Sequence, residues 1–374
     1  MKTPDTAEKL GILSQDSQYD LACACATRDN EHRRRSRDDK WIYPVTLPNG
    51  GTTFLFKTLL SNECSYNCRY CPLRAGSAAR HCTLSPEELT RAFLTYYKAH
   101  RVSGLFLSSA VIHNPDATME RINRVALALR KIQFRGYIHL KIIPGASDAA
   151  IRQSLALASA VSLNIETAGE DNFKYLSTAK NYLRDIIRPI QLISRLTAKG
   201  SSYSGVNQTT QFVIGASRET DKEIIGYSWK LYKELGLSRV YFSAYQRGAG
   251  SPELPGERSS CTNSDLLTRE HRLYQADWLI RKYGFKADEI PLDPNGNLPL
   301  AIDPKELWAR SHPGFFPVNI NKDDAYRLLR VPGLGQVTVE RILAFRKNGV
   351  KIRSLGTLGK RTLVLQKAEQ YVAF

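Results

Sequence analysis

From residue 53 to 247, short apolar stretches rich in β-branched residues alternate with segments whose apolar positions recur every three or four residues. The first kind predicts strands at 54–60, 104–108, 137–143, 160–165, 211–215 and 240–244. The second predicts amphipathic helices at 85–98, 119–131, 148–158, 182–199 and 222–235. Ser85-Pro86-Glu87-Glu88 has the form of a helix start, with a capping Ser followed by Pro at the first helical position. Asp148 is expected to cap the third helix in the same way. Strand and helix in strict alternation predict a parallel α/β sheet, open or curled into a partial barrel. In such sheets reactive groups gather beyond the carboxyl ends of the strands.

The flanks have a different character. Residues 1–50 show no strong periodicity beyond a short helix near 5–15, and contain the basic run Arg33-Arg34-Arg35-Ser36-Arg37. Residues 247–318 are rich in Pro and Gly around a helix at about 264–283, and 298–317 reads as a linker and covering segment. Residues 319–374 form a compact helical unit. The expected organisation is an N-terminal extension (1–50), a core (51–250), a helical extension and linker (251–318) and a small all-helical C-terminal domain (319–374).

Composition narrows this picture. The 374 residues carry a formal net charge of +17, which favours a polyanionic partner such as nucleic acid through counterion release. No apolar run approaches a membrane span, so no membrane partner is expected. The N-terminus begins polar without the apolar core of a secretion signal, and a cytoplasmic location is expected. Seven unevenly spaced cysteines are not a disulfide framework, so clustered cysteines point to metal or catalysis.

Three of those cysteines are close together. Cys64, Cys68 and Cys71 follow the first predicted strand with C-x3-C-x2-C spacing. Thiolates at this spacing on a loop can converge on one face of an iron–sulfur cubane, leaving the fourth iron open to an exogenous chelate. The alternative is zinc with Cys82 or His81 as fourth ligand, although no second cysteine pair is present to build the usual knuckle. Along the third strand, His139 and Lys141 alternate with apolar residues, so both face one side of the sheet, read as the barrel interior.

The motif Cys64-Ser65-Tyr66-Asn67-Cys68-Arg69-Tyr70-Cys71 resembles the signature of the radical S-adenosylmethionine superfamily, with Tyr70 in the aromatic position. The resemblance runs from about residue 53 to 247. It implies a partial (β/α)6 TIM-like barrel, a [4Fe–4S] cluster on the three cysteines, S-adenosylmethionine on the open iron, and an external one-electron donor such as flavodoxin or ferredoxin. By the same resemblance Asn164 and Glu166 match ribose-contacting positions, and Gly215, in Val213-Ile214-Gly215 with Glu219, matches a motif lining adenine. The family's Gly-Gly-Glu, which meets the methionyl amine, stands here as Ser108-Ser109-Ala110. That departure leaves hydroxyls or backbone carbonyls to receive the ammonium.

Near the C-terminus a short helix is expected to end at Val331, followed by the turn Pro332-Gly333-Leu334-Gly335 and a second helix from Gln336. This resembles a helix–hairpin–helix module. Glycines there let backbone approach phosphate, and the amides opening the second helix point outward. Gly333, Gly335, Gln336 and Arg341 are the implied nucleic-acid contacts, in a segment (320–374) with 11 Lys and Arg against 4 Asp and Glu. Residues 352–358, Lys360-Arg361 and a last helix resemble a degenerate second hairpin.

Taken in order, these parts resemble a subfamily of radical S-adenosylmethionine proteins assigned to DNA modification or repair. Further matches are Tyr19-Asp20-Leu21-Ala22-Cys23, Tyr137-Ile138-His139-Leu140-Lys141 and Arg269-Glu270-His271-Arg272. The group's Val-Pro-Val after the sixth strand is Gln246-Arg247-Gly248 here. The resemblance implies an enzyme that reductively cleaves S-adenosylmethionine and abstracts hydrogen from a nucleic-acid substrate. Cys23, His139 and Lys141 are its candidate catalytic groups. Action on tRNA or a small metabolite, or a non-catalytic DNA-binding iron–sulfur protein, are the alternatives.

Overall fold

A computed structural model describes residues 4–17, 41–46, 51–358 and 363–374. Cys23, Cys25, the basic run at 33–37 and Lys360-Arg361 lie outside the described residues.

The chain divides into two compact units. The first holds Met1–Glu219 and Lys230–Leu267. It opens with α1 (Thr6–Asp16), started by a reciprocal cap between Asp5 and Glu8. Strands and helices then alternate: β1 (Ile42–Thr46), β2 (Thr52–Leu59), α2 (Pro86–Lys98), β3 (Gly104–Ser108), α3 (Pro115–Lys131), β4 (Tyr137–Lys141), α4 (Asp148–Leu157), β5 (Ala160–Ser162) and α5 (Glu170–Leu176). A single π turn (Tyr182–Ile187) leads into α6 (Arg188–Thr197), followed by β6 (Asn207–Ile214), α7 (Asp221–Lys233, of which Asp221–Trp229 falls in the second unit), β7 (Arg239–Ala244) and the one-turn α8 (Pro255–Arg258).

Ser85 accepts from the Glu88 amide while Glu88 returns the bond, so the expected start of α2 is a full capping box. The cap of α4 is a correction. Ser147 accepts from the Ala150 amide, and Asp148 sits one residue inside the helix, where its charge suits the helix dipole. A second correction is β1, which no periodicity signalled. It pairs antiparallel with β2 through Tyr43 opposite Leu55 and Val45 opposite Thr53.

The seven strands form one sheet in sequence order, and β2 through β7 run parallel. Alternation along each strand separates two faces. Phe56, Ile138 and Leu140 are fully buried on the helix side, where Phe56 meets Phe93 of α2 at 6.0 Å between ring centroids. The opposite face supplies Tyr43, Leu55, Lys57, Phe106, His139, Lys141, Ser162, Thr209, Gln211 and Tyr241 to one cavity. Side chains from all seven strands lining one space means that the sheet curls around it, as a partial barrel.

The second unit holds Thr220–Trp229 and Thr268–Phe374. Its helices are α9 (Asn263–Lys282), α10 (Pro304–Ser311), α11 (Ala325–Arg330), α12 (Gln336–Lys347) and α13 (Leu363–Ala368). The expected linker at 298–317 contains α10, which buries Trp308 and Lys305. The C-terminal part is not all-helical. Strands β8 (Val318–Asn319) and β9 (Val372–Ala373) pair in parallel, and the Ile320 amide bonds to the Ala373 carbonyl at 2.8 Å. Around them Val318, Ile320, Leu328, Val331, Leu334, Val339, Ile342 and Leu355 form a separate apolar core. Among the described residues, no helix is long and apolar enough to cross a membrane.

Candidate active site

The loop after β2 carries the three cysteines and is fixed on several sides. The Ser65 amide bonds to Val111 O at 2.9 Å, Arg69 N to Leu176 O at 2.8 Å, and Cys71 N to Cys68 O at 3.0 Å. Tyr66 donates its hydroxyl to Pro144 O at 3.1 Å, and Arg74 donates to Cys71 O and Ala249 O, both at 3.1 Å. Gly145 lies at φ +85°, where a side chain would be strained, and an added Cβ would crowd the Tyr66 hydroxyl at 3.3 Å. The loop's backbone is thus held by the chain's own hydrogen bonds.

All three thiols line one pocket of about 160 Å³ at the carboxyl ends of the strands. Ser108, Ser109 and Ala110 enter it from the end of β3, Ile142–Pro144 from β4, Asn164 and Glu166 from beyond β5, and Val213 from β6. Tyr70 joins them. The pocket thus gathers nine of the candidate site residues read from sequence: Cys64, Cys68, Cys71, Tyr70, Ser108, Ser109, Lys141, Asn164 and Glu166. Gly215 is not in its lining. Its φ of +84° and its amide bond to Glu219 Oε1 at 2.7 Å make it a turn residue.

Glu166 is held unusually for a residue with a side chain. Its φ is +67°, and the strain is fixed by its amide on Gln211 O at 3.0 Å and the Val213 amide on its carbonyl at 2.7 Å. Burial, and then the Glu166 charge, keep the Tyr70 hydroxyl far above its ordinary pKa, so it stays protonated and donates to that carboxylate. The Asn164 amide nitrogen reaches Glu166 at 3.4 Å, while Asn164 Oδ1 is buried without a partner. A buried acceptor left open is costly unless a ligand donor fills it.

The thiols are also tuned. Burial pushes Cys64 up, and pushes Cys71 up to about 12. For Cys64 and Cys71 a positive metal centre that replaces the proton offsets this burial. The Tyr66 amide points at Cys64 Sγ from 3.4 Å. Lys180, which sequence gave no reason to single out, hydrogen-bonds Cys68. Burial works to lower the Lys180 ammonium, yet the charges of Cys68 and Glu166 outweigh it and hold it above the lysine range.

This donor set fits an iron–sulfur cluster better than zinc. Neither Cys82 nor His81 lines the pocket. Three thiols in one pocket are the ligand number that a cluster with one open iron takes from the chain.

The larger cavity inside the curled sheet measures about 590 Å³ and shares Lys141, Asn164 and Gln211 with the cysteine pocket. His139 and Lys141 both face into it, as their spacing predicted. His139 is pinned by Ser162 Oγ at 2.9 Å and the Tyr137 hydroxyl at 3.1 Å, and its ring stacks on Phe106 at 4.4 Å. Its place is that of a fixed wall. Lys57 lies over the Phe106 and Tyr43 rings at 4.8 and 5.1 Å.

The residues expected to contact nucleic acid are in the second unit. Gly333 (φ +86°) and Gly335 turn the chain between α11 and α12. Gln336 donates to Glu340 at 2.9 Å, and Arg341 donates to the Leu358 carbonyl. Lys305 donates to Leu334 O at 2.6 Å from beneath the turn, over the Tyr283 ring. In the same unit Arg269 pairs with the buried Asp221 at 2.7 Å, and Arg272 holds Leu300 O, which explains that charged stretch structurally.

No protein-family model and no curated protein matches the chain. Several solved structures resemble part of it. The FeFe-hydrogenase maturase HydG from Carboxydothermus hydrogenoformans does so at 17% identity and a TM-score of 0.45, over 58% of this chain and 49% of that one. Methylornithine synthase (PylB) gives 12% identity and a TM-score of 0.44, over 59% and 63%. The radical S-adenosylmethionine methyltransferase TsrM from Kitasatospora setae, solved with cobalamin and a [4Fe–4S] cluster, gives 14% identity and a TM-score of 0.39, over 55% and 38%. The chain spans about half the length of the first of these. Likeness at these scores carries no weight for function, which must come from the site itself.

Proposed function

We propose that this chain is a radical S-adenosylmethionine enzyme, with a [4Fe–4S] cluster on Cys64, Cys68 and Cys71 and the cofactor held in the same pocket. The observation that carries this reading is the convergence of three thiols with an unpartnered buried acceptor, Asn164 Oδ1, beyond the carboxyl ends of a curled parallel sheet. When bound, the cluster and the sulfonium cofactor supply reductive cleavage to a carbon radical that abstracts hydrogen.

The chain's own residues do the holding. The Tyr66 amide and the Lys180 ammonium offset charge on Cys64 and Cys68. Asn164 Oδ1 is open to a cofactor hydroxyl, and Glu166 is set behind it by Tyr70. Ser108 and Ser109 line the β3 side. The interior cavity takes the substrate, with His139 and Lys141 as its inner wall and Lys141, Asn164 and Gln211 shared with the cofactor pocket. Its ring-lined walls exclude water from a reactive centre. An external one-electron donor of the flavodoxin or ferredoxin kind is required.

The proposed substrate class is nucleic acid, supported by the +17 charge and the glycine turn of the second unit. A base enters the interior cavity only if flipped or single-stranded. Anaerobically reconstituted protein with dithionite and S-adenosylmethionine is expected to release 5′-deoxyadenosine, and Cys68→Ala to release none. Deuterium from a labelled oligonucleotide is expected in that product. Release without transfer from any nucleic acid redirects the reading to a small substrate, and no release above the Cys68→Ala control rejects it.

A further inference from the structure

The interior cavity extends to the end of the sheet opposite the cysteine loop. Its lining runs from Lys141, Asn164 and Gln211, shared with the cysteine pocket, to Thr53, Ser103 and Tyr137 at the starts of β2, β3 and β4. Ser103 is exposed and Tyr137 is 39% exposed, so the cavity opens at these amino ends. Beside the opening lies a groove of about 420 Å³, lined by Phe54, Tyr97, Lys98, His100 and Arg101. Groove and cavity share Thr53 and Ser103 as a common wall, closed by a hydrogen bond of 2.7 Å between the two hydroxyls. The Ser103 amide on Phe54 O at 2.8 Å and the Arg101 amide on Tyr96 O at 3.0 Å fix that wall.

The groove combines rings with positive charge. Phe54 and Tyr97 are 45% and 40% exposed, and Tyr97 is held edge-on against Phe134 at 4.9 Å, which brings the 131–136 loop to the groove. Rings presented in this way are platforms on which unpaired bases stack. The stretches 98–103, 131–136, 198–206 and 233–239 lead from helices into the starts of the strands, and hold seven Lys and Arg with Glu234 as their one acid. Lys98, Lys131 and Lys233 suit the helix dipole in last turns, whereas Arg101, Arg135 and Lys199 stand past those turns, where that effect falls off. At the carboxyl ends, 60–85, 109–114, 142–147, 163–187 and 215–220 together hold seven Lys and Arg against six Asp and Glu. The segment 18–40, outside the described residues, holds six against five, so it brings no net negative charge to either end. The positive surplus of the barrel loops is therefore concentrated at the amino-terminal rim, where the cavity opens.

We propose that single-stranded nucleic acid docks on this amino-terminal rim, with phosphates on Lys98 and Arg135, a flanking base on Phe54 and Tyr97, and the target base passing Tyr137 into the interior cavity. The substrate thus reaches the cofactor pocket from the end of the sheet opposite the cysteine loop. The assignment rests on the nucleic-acid reading above, and adds to it the surface of the first unit that takes the strand.

The test measures binding of a fluorescent single-stranded oligonucleotide of mixed sequence, as DNA and as RNA, to full-length reconstituted protein across a range of salt, with iron counted in every sample. Lys98→Glu with Arg135→Glu is expected to weaken binding about tenfold or more, and to flatten the slope of log affinity against log salt by about 1.4, the loss of two phosphate contacts on a single strand. Phe54→Ala is expected to weaken binding about fivefold with the salt slope unchanged, as the loss of one stacked base does. Arg124→Glu with Arg152→Glu makes the same charge change at exposed positions on α3 and α4, and is expected to weaken binding less than about threefold. Equal losses in the two double variants, or rim variants that bind as wild type does, overturn the rim assignment and leave the nucleic-acid reading standing. Wild type that binds neither strand overturns the nucleic-acid reading and this assignment with it.

Discussion

The cysteine loop and the glycine turn were the two most distinctive segments of the sequence, and the fold treats them in opposite ways. Around the loop, polar groups are left waiting. Asn164 Oδ1 is buried without a partner, three thiols share one pocket, and burial disfavours charge on Cys64 and Cys71. Around the turn, polar groups are mostly consumed. Lys305 holds Leu334 O, Gln336 holds Glu340, Arg341 holds Leu358 O, and Arg346 holds Asp323 O at 2.5 Å. Arg330 is fully buried, paired with Glu289 at 2.9 Å and stacked 3.5 Å from the Tyr326 centroid, while its Nε and Nη1 face rings rather than acceptors. The open acceptor of the first unit lies in a pocket with three thiols, whereas the open donors of Arg330 are enclosed among aromatic rings. The proposed chemistry is accordingly assigned to the first unit. The nucleic-acid contact proposed for the second unit would fall to its backbone amides and its exposed cations.

The comparison breaks most sharply at Cys68. Cys68→Ala is expected to abolish iron and sulfide binding and the brown chromophore, while Arg330→Ala leaves both unchanged. Iron retained in Cys68→Ala, seen by metal analysis, would refute the loop assignment. Arg330→Ala tests the other side. Removing the buried guanidinium strands Glu289 and empties the space between Phe285, Trp308 and Tyr326. A loss of about 3 kcal/mol in the unfolding transition of this unit is expected in urea, and an unchanged transition would mean that the pair is not structural.

Smaller effects sharpen the contrast. Asn164→Leu removes an acceptor with no partner in the chain and one long 3.4 Å contact to Glu166, so stability is expected to change by less than about 1 kcal/mol. Binding of S-adenosylmethionine is expected to weaken by about tenfold, as calorimetry would show. In the second unit, burial depresses the Lys305 ammonium from 10.5 to about 7. Between those pH values the unfolded chain binds a proton that the folded chain does not. Stability from this group therefore rises with pH across that window and is lost progressively as pH falls from 10.5 to about 7. Urea midpoints measured from pH 6.5 to 9.5 are expected to climb, and to climb less in Lys305→Met. Equal slopes in the two proteins would show that Lys305 does not titrate there.

Much of this was legible from residues alone. The strands at 104–108 and 240–244 and the inward pair His139 and Lys141 followed from period-two alternation. Asn164 and Glu166 were found through family resemblance, and the fold puts them beside the cysteines. What stayed hidden depends on distant pairing. β1 is a short edge strand containing Pro44, and only its partner β2 defines it. Lys180 is separated from the cysteine loop by a long stretch of chain, and nothing local marks it as facing a thiol. The two-residue strands β8 and β9 are too short for any periodic signal. Ser147 and Asp148 are both good capping residues in sequence, and only backbone geometry chose between them.

The most direct measurement is electron paramagnetic resonance on anaerobically reconstituted, dithionite-reduced protein, with iron and sulfide counted in the same sample. The expected result is about four irons per chain and a cluster signal that changes when S-adenosylmethionine is added, since one iron has no protein thiolate. Colourless protein that binds zinc but no iron, or a cluster signal indifferent to the cofactor, would contradict the account.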